Sequence, residues 1–135
     1  MQIPSILALL SADKKVGVLT YDGARLGVLH LEALGIDPRR VCIRGMPDQG
    51  HLRQVIQEGA RYDELAMEQE MTDQAEDMVK SEKGAIGAIV LECTQMPPYA
   101  EHIQERLGLP VYDVYTMGLW LYSGLVRQRP ALWEK

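Results

Sequence analysis

Apolar and polar positions follow two rhythms along this chain. Four short runs are apolar or β-branched almost throughout: Val16–Tyr21 (VGVLTY), Arg40–Arg44 (RVCIR), Ile86–Cys93 (IGAIVLEC) and Pro110–Val114 (PVYDV). Continuous rather than alternating apolar character in the first and third predicts strands covered on both faces. Between the runs the apolar positions fall at helical spacing. Ala24–Leu34 is Leu-rich and stops at Gly35, with Pro38 soon after, as a helix C-terminus does. Glu64–Lys83 carries Met67, Met71, Ala75 and Met78 on one face and acids on the other. Pro97–Leu107 places Tyr99, Ile103 and Leu107 four apart, with Gly108 to end it. Pro4–Ala12 reads as a helix entering the first strand, and Met46–Tyr62 as a long connection with a short helix near Leu52–Gln57. A last helix, about Met117–Arg127, is apolar on most sides, more so than a solvent-facing helix needs.

Strands alternating with helices predict an α/β fold: a four-stranded parallel, doubly wound sheet of flavodoxin-like type, joined by right-handed crossovers. No repeat, low-complexity tract or linker interrupts residues 1–135, which read as a single α/β lobe. Both terminal helices expose enough apolar surface to expect a partner.

Composition narrows this picture in a few places. With 47% apolar residues but no phenylalanine, the core must be built from Leu, Ile, Val and Met with a few Tyr and Trp. A net charge of -5 argues against nucleic acid or a membrane surface as partner, since both call for a basic face. The two cysteines, Cys42 and Cys93, and the scattered His30, His51 and His102 match no metal-ligand spacing, so no metal site is expected. Two isolated cysteines suit a reducing cytoplasm better than a disulfide scaffold. The run IPSILALL is too short to span a bilayer and lacks preceding basic residues, so a signal peptide is not expected and a cytoplasmic location is.

Open parallel sheets bind ligands beyond the carboxyl ends of their strands. Those ends here offer Thr20, Tyr21 and Asp22, then Gly45 and Met46, then Glu92, Cys93, Thr94 and Gln95, then Asp113, Tyr115 and Thr116. Cys93 precedes a helix start marked by Pro97 and Pro98, and a helix N-terminus favours an anion, as a reactive thiol requires. Thr94 could offer a hydroxyl and an N–H to a substrate carboxylate. Strand alternation should turn Glu92 to the opposite face. Plainer readings stand beside these. A free cysteine is often a small buried hydrophobe, which is the expectation for Cys42 in mid-strand. Asp22 could simply cap the following helix, and Thr20 and Thr116 could be strand-end turn residues.

Three blocks, VGVLTYDGARL (Val16–Leu26), AIVLECTQMPPYA (Ala88–Ala100) and GLPVYDVYTMGLW (Gly108–Trp120), resemble in order and spacing the C-terminal lobe of the aspartate/glutamate/hydantoin racemase superfamily. The Cys-Thr block is the most specific of the three. The resemblance implies a cofactor-independent amino-acid or hydantoin racemase-like protein, one lobe of a two-lobe fold in which each lobe contributes a cysteine. One thiolate takes the proton from the carbon next to a carboxylate, and the other thiol returns one on the opposite face. By that resemblance Cys93 is the thiol of this lobe, Thr94 binds the substrate carboxylate, and Thr20 lies in a loop lining the cleft. Their strand-end positions add Tyr21, Gln95 and Thr116 to the expected substrate-binding set. Gln95 stands where glutamate racemases carry histidine, and Glu92 where they carry glycine, which argues against glutamate as substrate.

The resemblance also implies that the N-terminal lobe, with its thiol, is absent from this chain. Two readings follow. In the first, the chain is an enzyme acting on a small carboxylate or amino-acid-like substrate, complete only as a homo-oligomer in which two copies face one another. In the second, it is a non-catalytic truncated half or binding subunit that meets a separate N-terminal lobe.

Overall fold

The computed structural model describes residues 2–127. Its sheet contains β1 (Lys15–Thr20), β2 (Val41–Gly45), β3 (Ile86–Leu91) and β4 (Val111–Tyr112), all parallel, in the order β2-β1-β3-β4. The helices are α1 (Ile3–Leu9), α2 (Val28–Ala33), α3 (His51–Glu58), α4 (Glu64–Ser81), α5 (Ala100–Leu107) and α6 (Val114–Leu125). The expected four-stranded parallel α/β architecture is therefore the one observed.

β1 and β3 are central and bury nearly every side chain, which is why they read as unbroken apolar runs. One face carries Leu19, Ile89 and Leu91 against Met67, Met71, Ala75 and Met78 of α4, Ile103 of α5 and Leu52 of α3. The other carries Val16, Val18, Ala88 and Val90 against Ile3 and Ile6 of α1 and Leu31 and Ile36 around α2. Methionines fill the role that phenylalanine has in other cores, because an unbranched thioether adapts to irregular gaps. Each fully buried Leu, Ile or Met side chain contributes about 1.5–3 kcal/mol.

Helix ends explain where the boundaries moved. Gly35 and Gly108 follow α2 and α5 at φ +68° and +65°, a left-handed conformation that stops a helix with no Cβ penalty. α2 begins later than expected, at Val28, because Asp22 caps only a local turn, accepting from the Ala24 N–H at 3.0 Å. Pro97–Tyr99 forms a tighter 3-10 turn, and the α-helix proper starts at Ala100. α6 begins early, at Val114, because Asp113 accepts from the Thr116 N–H at 2.7 Å while Thr116 Oγ1 accepts from the Asp113 N–H at 2.9 Å. That reciprocal cap draws the chain into a helix straight after a two-residue β4. None of the residues of α6 is buried against the described residues, and Trp120, Leu121, Tyr122 and Leu125 all stand exposed.

Candidate functional site

The site is set by the pairing of β1 with β3. Leu19 lies opposite Leu91, and the Glu92 N–H donates to the Leu19 carbonyl at 2.8 Å. Thr20 and Tyr21 therefore leave the sheet beside Glu92, Cys93, Thr94 and Gln95. Alternation along β3 continues one step past its end, as expected. Cys93 packs half-buried against the α4/α5 core, while Glu92 turns to the other face, into a cleft bounded by α1, α2 and α6. The Cys93 carbonyl accepts from the Met96 N–H at 3.1 Å, which folds Thr94 and Gln95 into an exposed turn over the strand end. Cys93 is thus separated from the N-terminus of α5 by that turn and the 3-10 segment, not seated directly on it.

Thr20 is buried, 3% exposed, and its hydroxyl donates to Glu92 Oε2 at 2.6 Å. Beyond it, the Tyr21–Gly23 turn lies tightly over the end of β2. A Cβ on Gly23 would stand 2.9 Å from the Gly45 nitrogen, and one on Gly45 would stand 2.5 Å from the Gly23 nitrogen. Only two glycines allow this backbone contact.

Arg53 of α3 then covers the turn. Its guanidinium sits 4.9 Å from the Tyr21 ring centroid, with Nη2 at 3.2 Å from Asp48 and 3.6 Å from Asp22. The Arg53 side chain is 12% exposed, and its Nε is buried without a hydrogen-bond partner among the described residues. Sequence reading did not single out Arg53; a lone arginine on a short helix carries no signal until the chain places it on Tyr21.

The rest of this edge is braced from the other elements. The Tyr62 hydroxyl bonds that of Tyr99, tying the segment before α4 to the segment after Cys93. Burial, and then the Tyr62 partner, push the Tyr99 hydroxyl above its ordinary pKa. His51 Nε2 accepts from the Asp63 N–H at 3.0 Å, so this ring is a brace. Thr116 lies on the α1 side, beside Gln2, Tyr112 and Trp120. Its hydroxyl donates to the Asp113 carbonyl at 2.9 Å and accepts from the Asp113 N–H, so both of its bonding directions serve the cap of α6.

Cys42 lies near the start of β2, opposite Gly17, toward the other end of the sheet. Burial first, then the Glu82 carboxylate, raise its pKa, as a packed structural thiol requires. Among the described residues no three His, Cys, Asp or Glu side chains gather to hold a metal, and no helix is long and apolar enough to cross a membrane.

The geometry defines an open parallel α/β lobe with a thiol, hydroxyls and a carboxylate at the carboxyl edge of its central strands. The Asp/Glu/Hydantoin racemase family model matches residues 1–122, and the chain belongs to that family. Among curated relatives, dimethylsulfoniopropionate lyase 3 of Emiliania huxleyi is 29% identical over 123 residues, 85% of this chain and 32% of that protein. The dimethylsulfoniopropionate lyase of Durusdinium sp. clade D is 26% identical over 129 residues, 92% of this chain and 42% of that protein. The chain thus spans well under half the length of these relatives. In fold it matches the crystal structure of allantoin racemase from Pseudomonas fluorescens, with a TM-score of 0.60 and 24% identity, over 93% of this chain and 50% of that one.

Proposed function

We propose that this lobe supplies the thiol half of a proton-transfer site, with Cys93 removing or returning the proton on a carbon next to the carboxylate of a small substrate. The observation that carries this reading is the junction of β1 and β3, where Thr20 and Tyr21 leave the sheet beside Cys93 and Thr94. A carbon acid of this kind is weak, so the developing charge on the carboxylate must meet preorganised donors. The exposed turn at Thr94 and Gln95 offers a hydroxyl, an amide side chain and main-chain N–H groups beside the thiol. Tyr21 forms the opposite lip, Thr20 is buried behind it and holds the strand end through Glu92, and Thr116 contributes by holding the first turn of α6. The thiol chemistry calls for no cofactor, and a reducing cytoplasm keeps Cys93 available for it.

Proton removal can end in two ways. In racemisation the electron pair left on carbon takes a proton back from the opposite face, which requires a second acid facing Cys93. In a lyase the same pair becomes a carbon–carbon double bond, and a group on the next carbon leaves with its bonding electrons, so one base is enough. The relatives named dimethylsulfoniopropionate lyases support the second outcome and favour a substrate that combines a carboxylate with a sulfonium cation. Racemisation of an amino acid, a hydantoin or a related compound needs a second lobe, from another copy of this chain or from a separate polypeptide.

The reading is tested by incubating the purified chain in deuterium oxide with amino acids, hydantoins and dimethylsulfoniopropionate, then following deuterium at the α-carbon and product formation by NMR. Turnover or exchange that survives in Cys42→Ala and disappears in Cys93→Ala is expected. Equal exchange in the Cys93→Ala protein would refute the role of the thiol. A second reading, a binding half without turnover, draws support from α6, whose apolar surface the described residues leave uncovered. In that case light scattering gives a monomer, and no substrate exchanges.

A further inference from the structure

α6 contains no charged residue from Val114 to Leu125. A helix apolar on every side is ordinarily buried, yet none of its residues is buried against the described residues. Tyr115, Tyr122 and Leu125 stand 66%, 57% and 84% exposed. With Gly118 they are spaced three, four and three residues apart, the repeat of a helix–helix seam. None of these four lines the cavities that α6 shares with α1, α2 and the sheet; Val114, Thr116, Met117 and Trp120 do. The seam therefore points away from the lobe. It also holds a gap, because a Cβ on Gly118 would meet nothing within 4 Å among the described residues, while a tyrosine stands on either side of it along the helix.

We propose that this seam binds a second copy of the chain, with the two α6 helices antiparallel about a twofold axis level with Trp120. In that register the partner's Tyr122 fills the gap over Gly118, and the partner's Leu125 packs against Tyr115. The twofold makes each contact twice. A parallel pair would set gap against gap and ring against ring, and the void left at Gly118 would forfeit packing contacts.

Charge selects the same partner. Beside the N-terminal end of α6, Glu92 lines a cleft together with Val114 and Met117. The buried Thr20 hydroxyl donates to Glu92 Oε2 at 2.6 Å, and the second carboxylate oxygen has no partner among the described residues. Past the C-terminal end, Arg127 is exposed and joins no ion pair among the described residues. Antiparallel pairing carries the partner's Arg127 to the Val114 end of α6, next to Glu92. It also aligns the two helix dipoles head to tail, whereas parallel pairing sets Arg127 against Arg127. A surface complementary to itself in both shape and charge specifies another copy of the same chain. A lipid surface is the poorer occupant, since it calls for cations around the apolar face, and here a carboxylate stands at one end of that face in a chain of net charge -5. The interface makes no use of Cys93, so it stands or falls apart from the proton-transfer reading.

Oligomeric state and register are tested together on the full chain, with circular dichroism to establish that each variant is folded. Sedimentation equilibrium should show a dimer for the parent and a monomer for Tyr122→Lys. Glu92→Lys and Arg127→Glu should each weaken the dimer about tenfold, equivalent to about 1.4 kcal/mol, because each sets like charges together at both ends of the pair. The double variant should recover the parent's affinity. Register is read by oxidative cross-linking in a Cys42→Ala, Cys93→Ala background. Chains with Tyr115→Cys should link to chains with Leu125→Cys, and neither should link to itself. A monomeric parent would overturn the proposal, whether it stays free or floats with phosphatidylserine vesicles. Self-linking of Tyr115→Cys, or a double charge variant no tighter than the single ones, would overturn it equally.

Discussion

Replacing Gly45 with alanine should destabilise the protein and disturb the strand-end turn together. The new Cβ would lie 2.5 Å from the Gly23 nitrogen, 3.1 Å from its Cα and 3.6 Å from the Asp22 carbonyl carbon. All three are main-chain atoms, so no flexible side chain can swing away; the turn itself must lift. Overpacking of this kind costs about 1–3 kcal/mol. Alanine also restricts the unfolded chain, which offsets about 0.4–1 kcal/mol. The net expectation is a loss of about 1–2 kcal/mol. With a urea dependence of about 1–3 kcal/mol per molar, the unfolding midpoint should fall by about 0.3–2 M.

The same lift moves Tyr21 and Asp22 away from Arg53, so alkylation of Cys93, followed by peptide mass mapping, should change in rate while Cys42 does not. Gly118→Ala is the matched control. It makes the same chemical change inside α6, where a Cβ meets nothing within 4 Å among the described residues, and should stabilise by up to about 1 kcal/mol through helix propensity. A Gly45→Ala protein as stable as the parent, with unchanged thiol reactivity, would refute the claim that the Gly23–Gly45 contact holds this edge.

Three further outcomes are expected. Arg53→Ala should cost about 1–3 kcal/mol in urea unfolding, since it uncovers Tyr21 and removes one of the two arginines that meet Asp22, and Arg53→Lys should recover less than half because an ammonium has no planar face to lay on the ring. Arg106 first, and then Lys80, hold the Glu76 carboxyl at about 2, below its usual 4.5. The stabilisation is therefore complete above pH 4.5 and lost as pH falls toward 2, so the stability gap between parent and Glu76→Gln should close over that window; a gap constant from pH 6 to 2.5 would contradict it. If two copies pair through α6, the parent should scatter light as a dimer, and Trp120→Glu should return it to monomer, since Trp120 is 63% exposed on an apolar face.

The sequence by itself determined the architecture, because the features that specify it are local. Two central strands buried on both faces must be apolar throughout, so VGVLT and IGAIVL announce a parallel sheet before any contact is known. Gly35 and Gly108 end helices by their own backbone freedom. The order of the strands, with ligands drawn to their carboxyl ends, placed Thr20, Tyr21 and the Cys93–Gln95 segment at one edge. Alternation alone turned Glu92 away from Cys93.

What only the tertiary structure decided was how those groups are held. The Thr20 hydroxyl meets Glu92 across a distance of 72 residues in sequence, Arg53 closes over Tyr21 from another helix, and Gly23 touches Gly45 through the backbone. No periodicity encodes such pairings, because each depends on where a remote element comes to rest. Thr116 makes the same point on a smaller scale: expected at a strand end, it lies in the first turn of α6, with its hydroxyl committed to Asp113 by a capping geometry that exists only once α6 has formed.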